Sequence, residues 1–368
     1  MNRGVSLLVG AVVCLAPAGL AQTPAQTQST LRFSGDFRVR YEHTNAGNGL
    51  PALGREVVRF RLAATYALQE DITFRARLAT GDPDDPNSTD VTLSSFVNDL
   101  TFSLDLAAVE LNRPKWGAFA GKFTNPFLTT EMVWDGDVNP QGAGGRVKLG
   151  TAPGITTSLT AMYFIVDQRA NSDSTSDMGG AQIMVAGAPG KNWRVTGAAA
   201  YYDYRIQNLN SASVAGDIRG NRCVPASCLP LATAVYLSDF NLVDGLAVIE
   251  YAGFGASFPL RFVGEYVHNG GANDLNTAFS GDVYVGRAQS AGDIRARYGY
   301  AQVETDAVLA AFAHDNTTLG TNSDTHTLSV DVTPRANALL TATLYYYRPH
   351  EPAGEFQTRL RLNAMVLF

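Results

Sequence analysis

Eight arginines occur as four pairs with one residue between partners: Arg38 and Arg40, Arg59 and Arg61, Arg75 and Arg77, Arg359 and Arg361. A spacing of two places both guanidinium groups of a pair on one face of a β-strand. A guanidinium stays charged in proteins and offers a fork of donors to carboxylates and other anions. Rows of them make no bonds; they set a field that orients and selects polar solutes. The opposite sign is concentrated in segment 125–140, which carries Glu131, Asp135 and Asp137 together with Phe127, Met132, Val133 and Trp134. A loop bathed in bulk water has no use for those apolar side chains. The expectation is a loop folded against an inner wall, with its acids facing the arginines across a constriction.

Other chemistries have weaker support. Gly-x-Ser-x-Gly does not occur, and His43, His268, His314, His326 and His350 mostly fall at strand ends or in loops, so the chain is not read as an enzyme. Asp82, Asp84, Asp85, Asn87 and Asp90 gather oxygen atoms in one loop and are candidate calcium ligands, although the EF-hand glycine and terminal glutamate are missing. No other cofactor is expected. Cys223 and Cys228 lie in one short stretch of a chain read as exported, which predicts a disulfide across a loop tip. The net charge is −6 with no long basic run, which argues against nucleic acid as a partner.

The elements that must position these residues are strands of period two. Phe33, Phe37, Val39 and Tyr41 alternate with Ser34, Asp36, Arg38, Arg40 and Glu42. Val58, Phe60, Leu62 and Ala64 alternate with Arg59 and Arg61, and the stretch ending at Phe368 alternates in the same way. The segment 100–111 is also a strand, but its facing is ambiguous and a bulge is expected. About sixteen such strands can be marked, joined alternately by short turns and long loops. Aromatics including Tyr41, Tyr66, Trp116, Tyr163, Trp193 and Tyr266 fall near strand ends. One apolar face and one polar face per strand suit a closed barrel with lipid outside and water inside. The fold class is therefore all-β, a transmembrane antiparallel up-and-down β-barrel whose third long loop turns inward. An arginine on the lipid face costs about 2–4 kcal/mol at mid-membrane, so the arginine faces must point inward. Closure brings the last strand beside the first, which makes the eight arginines one wall on four adjacent strands; about half should be ion-paired. The wall arginines outnumber the acids placed opposite them, which predicts a weak anion preference.

Three regions follow: 1–21 as a signal peptide with a basic start, a short apolar core and a small-residue cleavage pattern; 22–30 as a polar lead; and 31–368 as the barrel. The terminal Phe368 on an alternating strand resembles the insertion signal of outer-membrane barrels. The stretches 35–42, 75–90, 121–127, 134–142 and 305–312 together resemble the putative porin family of bacterial outer membranes. That resemblance implies a passive diffusion channel for ions and small hydrophilic solutes, in contact with outer-membrane lipid and forming a homo-oligomer, a trimer as in related sixteen-stranded porins. The alternatives are a solute-specific channel, or a surface adhesin or structural barrel.

Overall fold

The computed structural model describes residues 30–368, apart from 48, 97–98, 153, 169–174, 207–219, 231–233 and 256. The proposed signal peptide, and the lead up to residue 29, lie outside the described residues. Sixteen antiparallel staves close into a barrel. They are β1 (Thr30–Asn45), β2 (Leu53–Ala67), β3 (Ile72–Thr80), β4 (Phe102–Asn112), β5 (Trp116–Lys122), β6 (Gln141–Ala152), β7 (Ile155–Gln168) and β8 (Thr175–Gly190). The second half comprises β9 (Trp193–Arg205), β10 (Phe240–Tyr251), β11 (Leu260–Asn269), β12 (Thr277–Gly286), β13 (Ile294–Val303), β14 (Ser323–Arg335), β15 (Ala338–Pro349) and β16 (Gln357–Leu367). Each stave pairs with its chain neighbours, and β1 pairs with β16 to close the ring. No helix among the described residues is long and apolar enough to cross a membrane.

Facing follows the alternation. On β1, Phe37, Val39 and Tyr41 are exposed outward while Asp36, Arg40, Glu42 and Thr44 are buried on the inner side. The bulge falls where β4 meets β3: Arg77 pairs with Leu106, the next residue Leu78 pairs with Leu104, and Asp105 is the extra residue. Leu104 is consequently exposed outside and Leu106 buried inside, a switch of phase that alternation alone could not place. Outward aromatics sit near both rims, with Trp116, Trp193 and Phe368 at the short-turn end and Tyr41, Tyr163, Tyr266 and Tyr346 at the other.

At the seam, Gly35 and Phe368 exchange backbone hydrogen bonds of 2.8 and 3.1 Å. A side chain at Gly35 would begin 2.7 Å from the Phe368 ring, so the glycine makes room for it. The ring also stacks on Phe60, with centroids 6.0 Å apart.

The apolar core is unusual for a barrel because loops supply much of it. Phe127, Met132, Val133, Trp134 and Val138 from the segment between β5 and β6 pack with Val308, Leu309 and Phe312 from the segment between β13 and β14. Both rest on inward side chains of the wall, among them Phe164, Tyr202, Phe240 and Val267. Each fully buried side chain of this size contributes about 1.5–3 kcal/mol, which is what holds these loops in place.

Candidate functional site

The arginine pairs lie on β16, β1, β2 and β3, which are neighbours in the sheet. Arg38 is registered with Arg59, and Glu42 with Arg361 across the seam. The expectation that about half are paired needs correction: each of the eight has a carboxylate oxygen within 4.0 Å. Arg59 and Arg61 share Asp36, at 2.9 and 2.7 Å. Arg361 reaches Glu42 at 2.6 Å, and Arg359 lies 3.6 Å from it. Arg77 pairs with the bulge residue Asp105 at 2.5 Å, and Arg75 with Glu110 at 3.0 Å. Arg40 pairs with Asp90 at 2.6 Å, and Arg38 pairs with the same carboxylate. The physical reason is desolvation: guanidinium groups crowded on one wall and roofed by loops must each find a counter-charge. Seven of the eight side chains are only 3–19% exposed; Arg75, near the short-turn end, is 50% exposed.

Three loops form that roof. The first, between β3 and β4, adds a short strand, Val91–Thr92, to the edge of β2 and so seats Asp90 over Arg38 and Arg40. Burial opposes ionisation of Asp90, but the two guanidinium groups outweigh it and hold the carboxyl below its usual range. The second is segment 123–140, which leaves β5 shortly after Gly121, a residue of that strand with a φ of +109° that favours glycine. Its Asp137 meets Arg61 at 2.9 Å and Arg59 at 3.9 Å. Thr130 of the same loop donates its backbone N–H to Glu265 on β11 at 3.0 Å, and its hydroxyl to the same carboxylate. The third, between β13 and β14, caps Arg359 with the Asp315 carbonyl at 3.1 Å and Arg361 with the Asn316 side chain at 2.8 Å.

The four residues assigned to a constriction have different surroundings. Only Glu131 is exposed; its carboxylate accepts a 2.6 Å hydrogen bond from Asn316. Trp134 is buried between Phe164 and Phe312 and donates its indole N–H to Val138 O at 2.9 Å. Asp137 lies against the arginines; burial raises its pKa, but Arg61 and Arg59 bring it below the usual carboxylate range. Asp135 forms no ion pair among the described residues and accepts the Asp137 N–H at 2.7 Å. Burial, reinforced by Glu131 and Asp137, pushes its carboxyl up to about 9. Of the three acids expected to face the arginine wall, Asp137 alone forms ion pairs with it among the described residues.

The five calcium candidates do not converge. Asp90 is taken by arginines, Asn87 donates to Ala313 O at 3.1 Å, and Asp82 accepts the Asp84 N–H at 3.0 Å. Asp85 is pushed up to about 6, mainly by burial. Among the described residues no group of three or more His, Cys, Asp or Glu side chains is placed to hold a metal. Cys223 and Cys228 are joined, with sulfurs 2.11 Å apart. The neighbouring Asn221 side chain donates to Thr305 O and Val308 O, at 2.7 and 2.8 Å, tying this loop to the third roof loop.

Sequence reasoning missed a second basic cluster. Arg261, Arg295 and Arg297 point inward on β11 and β13, their guanidinium carbons 5.5, 5.7 and 5.4 Å from the centre of the Tyr284 ring. Arg295 and Arg297 have the same one-residue spacing as the other pairs, so the signal was present. It also missed the third roof loop, whose apolar run 307–313 obeys the logic applied to 125–140.

A closed, sixteen-stranded antiparallel barrel with charged groups inside and an apolar, aromatic-rimmed exterior is the architecture of outer-membrane porins. The profile of the family described as "Putative porin" matches residues 52–223, the family that the sequence stretches resemble. No curated protein matches the sequence. Among solved structures, Pseudomonas putida OprB at high pH is similar with a TM-score of 0.60 and 13% identity, covering 92% of this chain and 94% of that one. Salmonella typhi OmpF in complex with daunomycin gives 0.54 and 11%, covering 92% and 97%. A mutant of the Rh. blastica porin gives 0.51 and 12%, covering 92% and 100%. At these identities the likeness establishes the fold alone, and the family profile spans a little under half of the chain.

Proposed function

We infer that the chain forms a water-filled pore for passive diffusion of ions and small hydrophilic solutes, narrowed by segment 125–140, which crosses the bore. The observation that carries this reading is that one loop reaches Arg61 on β2 and Glu265 on β11, staves far apart around the ring. A loop tied at both places divides the bore and leaves Glu131 beside the open part. The protein then supplies width, charge and an apolar exterior, and no bond-making chemistry. Because the wall arginines are compensated, ion selectivity should be weak, and the anion preference expected from counting arginines should be small. Assembly as a trimer in the outer membrane is part of the same proposal. Purified protein in planar bilayers should give discrete ohmic steps in KCl. A folded barrel that inserts and passes no current overturns the reading.

A further inference from the structure

We propose that Arg261 and Arg297 form a subsite for small organic carboxylates that also carry a hydrogen-bond donor, the chemistry of a hydroxy acid or an amino acid. The proposal rests on the pore reading and specifies what the open part of the bore recognises. A permeating anion can use only guanidinium groups that it can reach. The wall on β16, β1, β2 and β3 offers few, because its arginines are ion-paired and roofed by loops. Arg261 and Arg297 differ: their side chains are 42% and 32% exposed, and both border a cavity of about 280 Å³. That volume suits a solute smaller than a drug-sized ligand.

The cluster is built to keep donors available. Arg297 is fixed through Nε alone, at 2.8 Å from Asp282. Its two terminal nitrogens make no hydrogen bond among the described residues. Arg261 has only a loose 3.6 Å contact with Glu250, again through Nε. Tyr284 holds both guanidinium groups over its ring, and Arg295, locked to Asp331 at 2.7 Å, lies over the same ring. Like charges are thereby gathered without their outward donors being consumed. Glu131 lines the same cavity, and one of its carboxylate oxygens is engaged by Asn316. Its other oxygen can accept from a solute. A carboxylate bound by the arginines with its hydroxyl or ammonium bound by Glu131 would satisfy both groups, which chloride cannot do.

The test uses the full chain in planar bilayers with sodium lactate as probe and sodium propionate, which lacks the hydroxyl, as comparison. Lactate conductance should saturate with concentration, and propionate should saturate at higher concentration. In the Arg261→Gln, Arg297→Gln variant the lactate-to-chloride permeability ratio should fall about tenfold, the effect of losing charged hydrogen bonds. Glu131→Gln should narrow the difference between lactate and propionate. Linear lactate conductance in a wild-type pore that gives normal KCl steps overturns the subsite alone. So does saturation left unchanged by the double substitution. Absence of KCl steps in the wild type overturns the pore reading and the subsite with it. The wild-type comparison of the two probes needs no variant to fold.

Discussion

Trp134 and Phe312 stack with ring centroids 5.6 Å apart and planes 29° from parallel, although they belong to different loops. Beside them the Asp135 N–H donates to Phe312 O at 2.8 Å, and the His314 N–H donates to Glu131 O at 3.0 Å. The two segments are thus joined by rings and by backbone, and the acids of one are set by the position of the other.

Truncating either ring should loosen both loops. Trp134→Ala and Phe312→Ala should each cost about 3–5 kcal/mol, with a coupling of about 0.5–1.5 kcal/mol in the double variant. Denaturant unfolding of the barrel in detergent measures both. Strict additivity would mean that the rings stabilise their loops independently.

Asp137→Asn leaves Arg61 and Arg59 to share Asp36 alone. Removing one partner of a largely buried pair costs about 3–5 kcal/mol. The local result should be release of segment 125–140 from the wall, read as larger and noisier single-channel currents. A quiet pore of unchanged conductance would place Asp137 away from whatever limits the current.

The loops should respond to pH in two directions. Asp137 is held below its usual range, so its contribution is present at neutral pH and is lost only as pH falls through that depressed value. Asp85 and Asp135 are the reverse. Burial raises them to about 6 and about 9, so the proton stabilises the folded loops, and that contribution is lost as pH rises from the ordinary value of 3.8 through each folded value. Loop protection, measured by hydrogen exchange or limited proteolysis, should therefore weaken toward alkaline pH. Asp135→Asn should remove the alkaline part of that profile; an unchanged profile would assign it to another group.

Arg38→Ser with Arg40→Ser leaves Asp90 uncompensated beneath its loop. Conductance should rise and the reversal potential in a KCl gradient should shift toward cation preference. Adding Asp90→Ser should move it back. If the reversal potential does not respond to the first pair, those guanidinium groups lie off the ion path.

Much of the barrel is legible because alternation is a local property. Phe37, Val39 and Tyr41 against Arg38, Arg40 and Glu42 can point only one way in a membrane, and the structure has them so. The phase of β4 was not legible, because a single extra residue, Asp105, inverts it and bulges have no fixed composition. Loop contacts were legible only as tendencies. The apolar residues of 125–140 signalled burial, but nothing local says that Asp90, 52 residues from Arg38 in the chain, would neutralise it. Arg261 escaped notice because its partners, Tyr284 and Arg297, lie on other staves and become neighbours only in the sheet.

The seam between β1 and β16 joins Glu42 to Arg361, 319 positions apart, whereas every other stave meets its neighbour along the chain. Until that join zips shut, the growing ribbon carries two bare margins of amide groups that hydrocarbon cannot solvate. A half-wound ribbon therefore has no comfortable resting place in lipid, and only this last join supplies the backbone partners its margins lack.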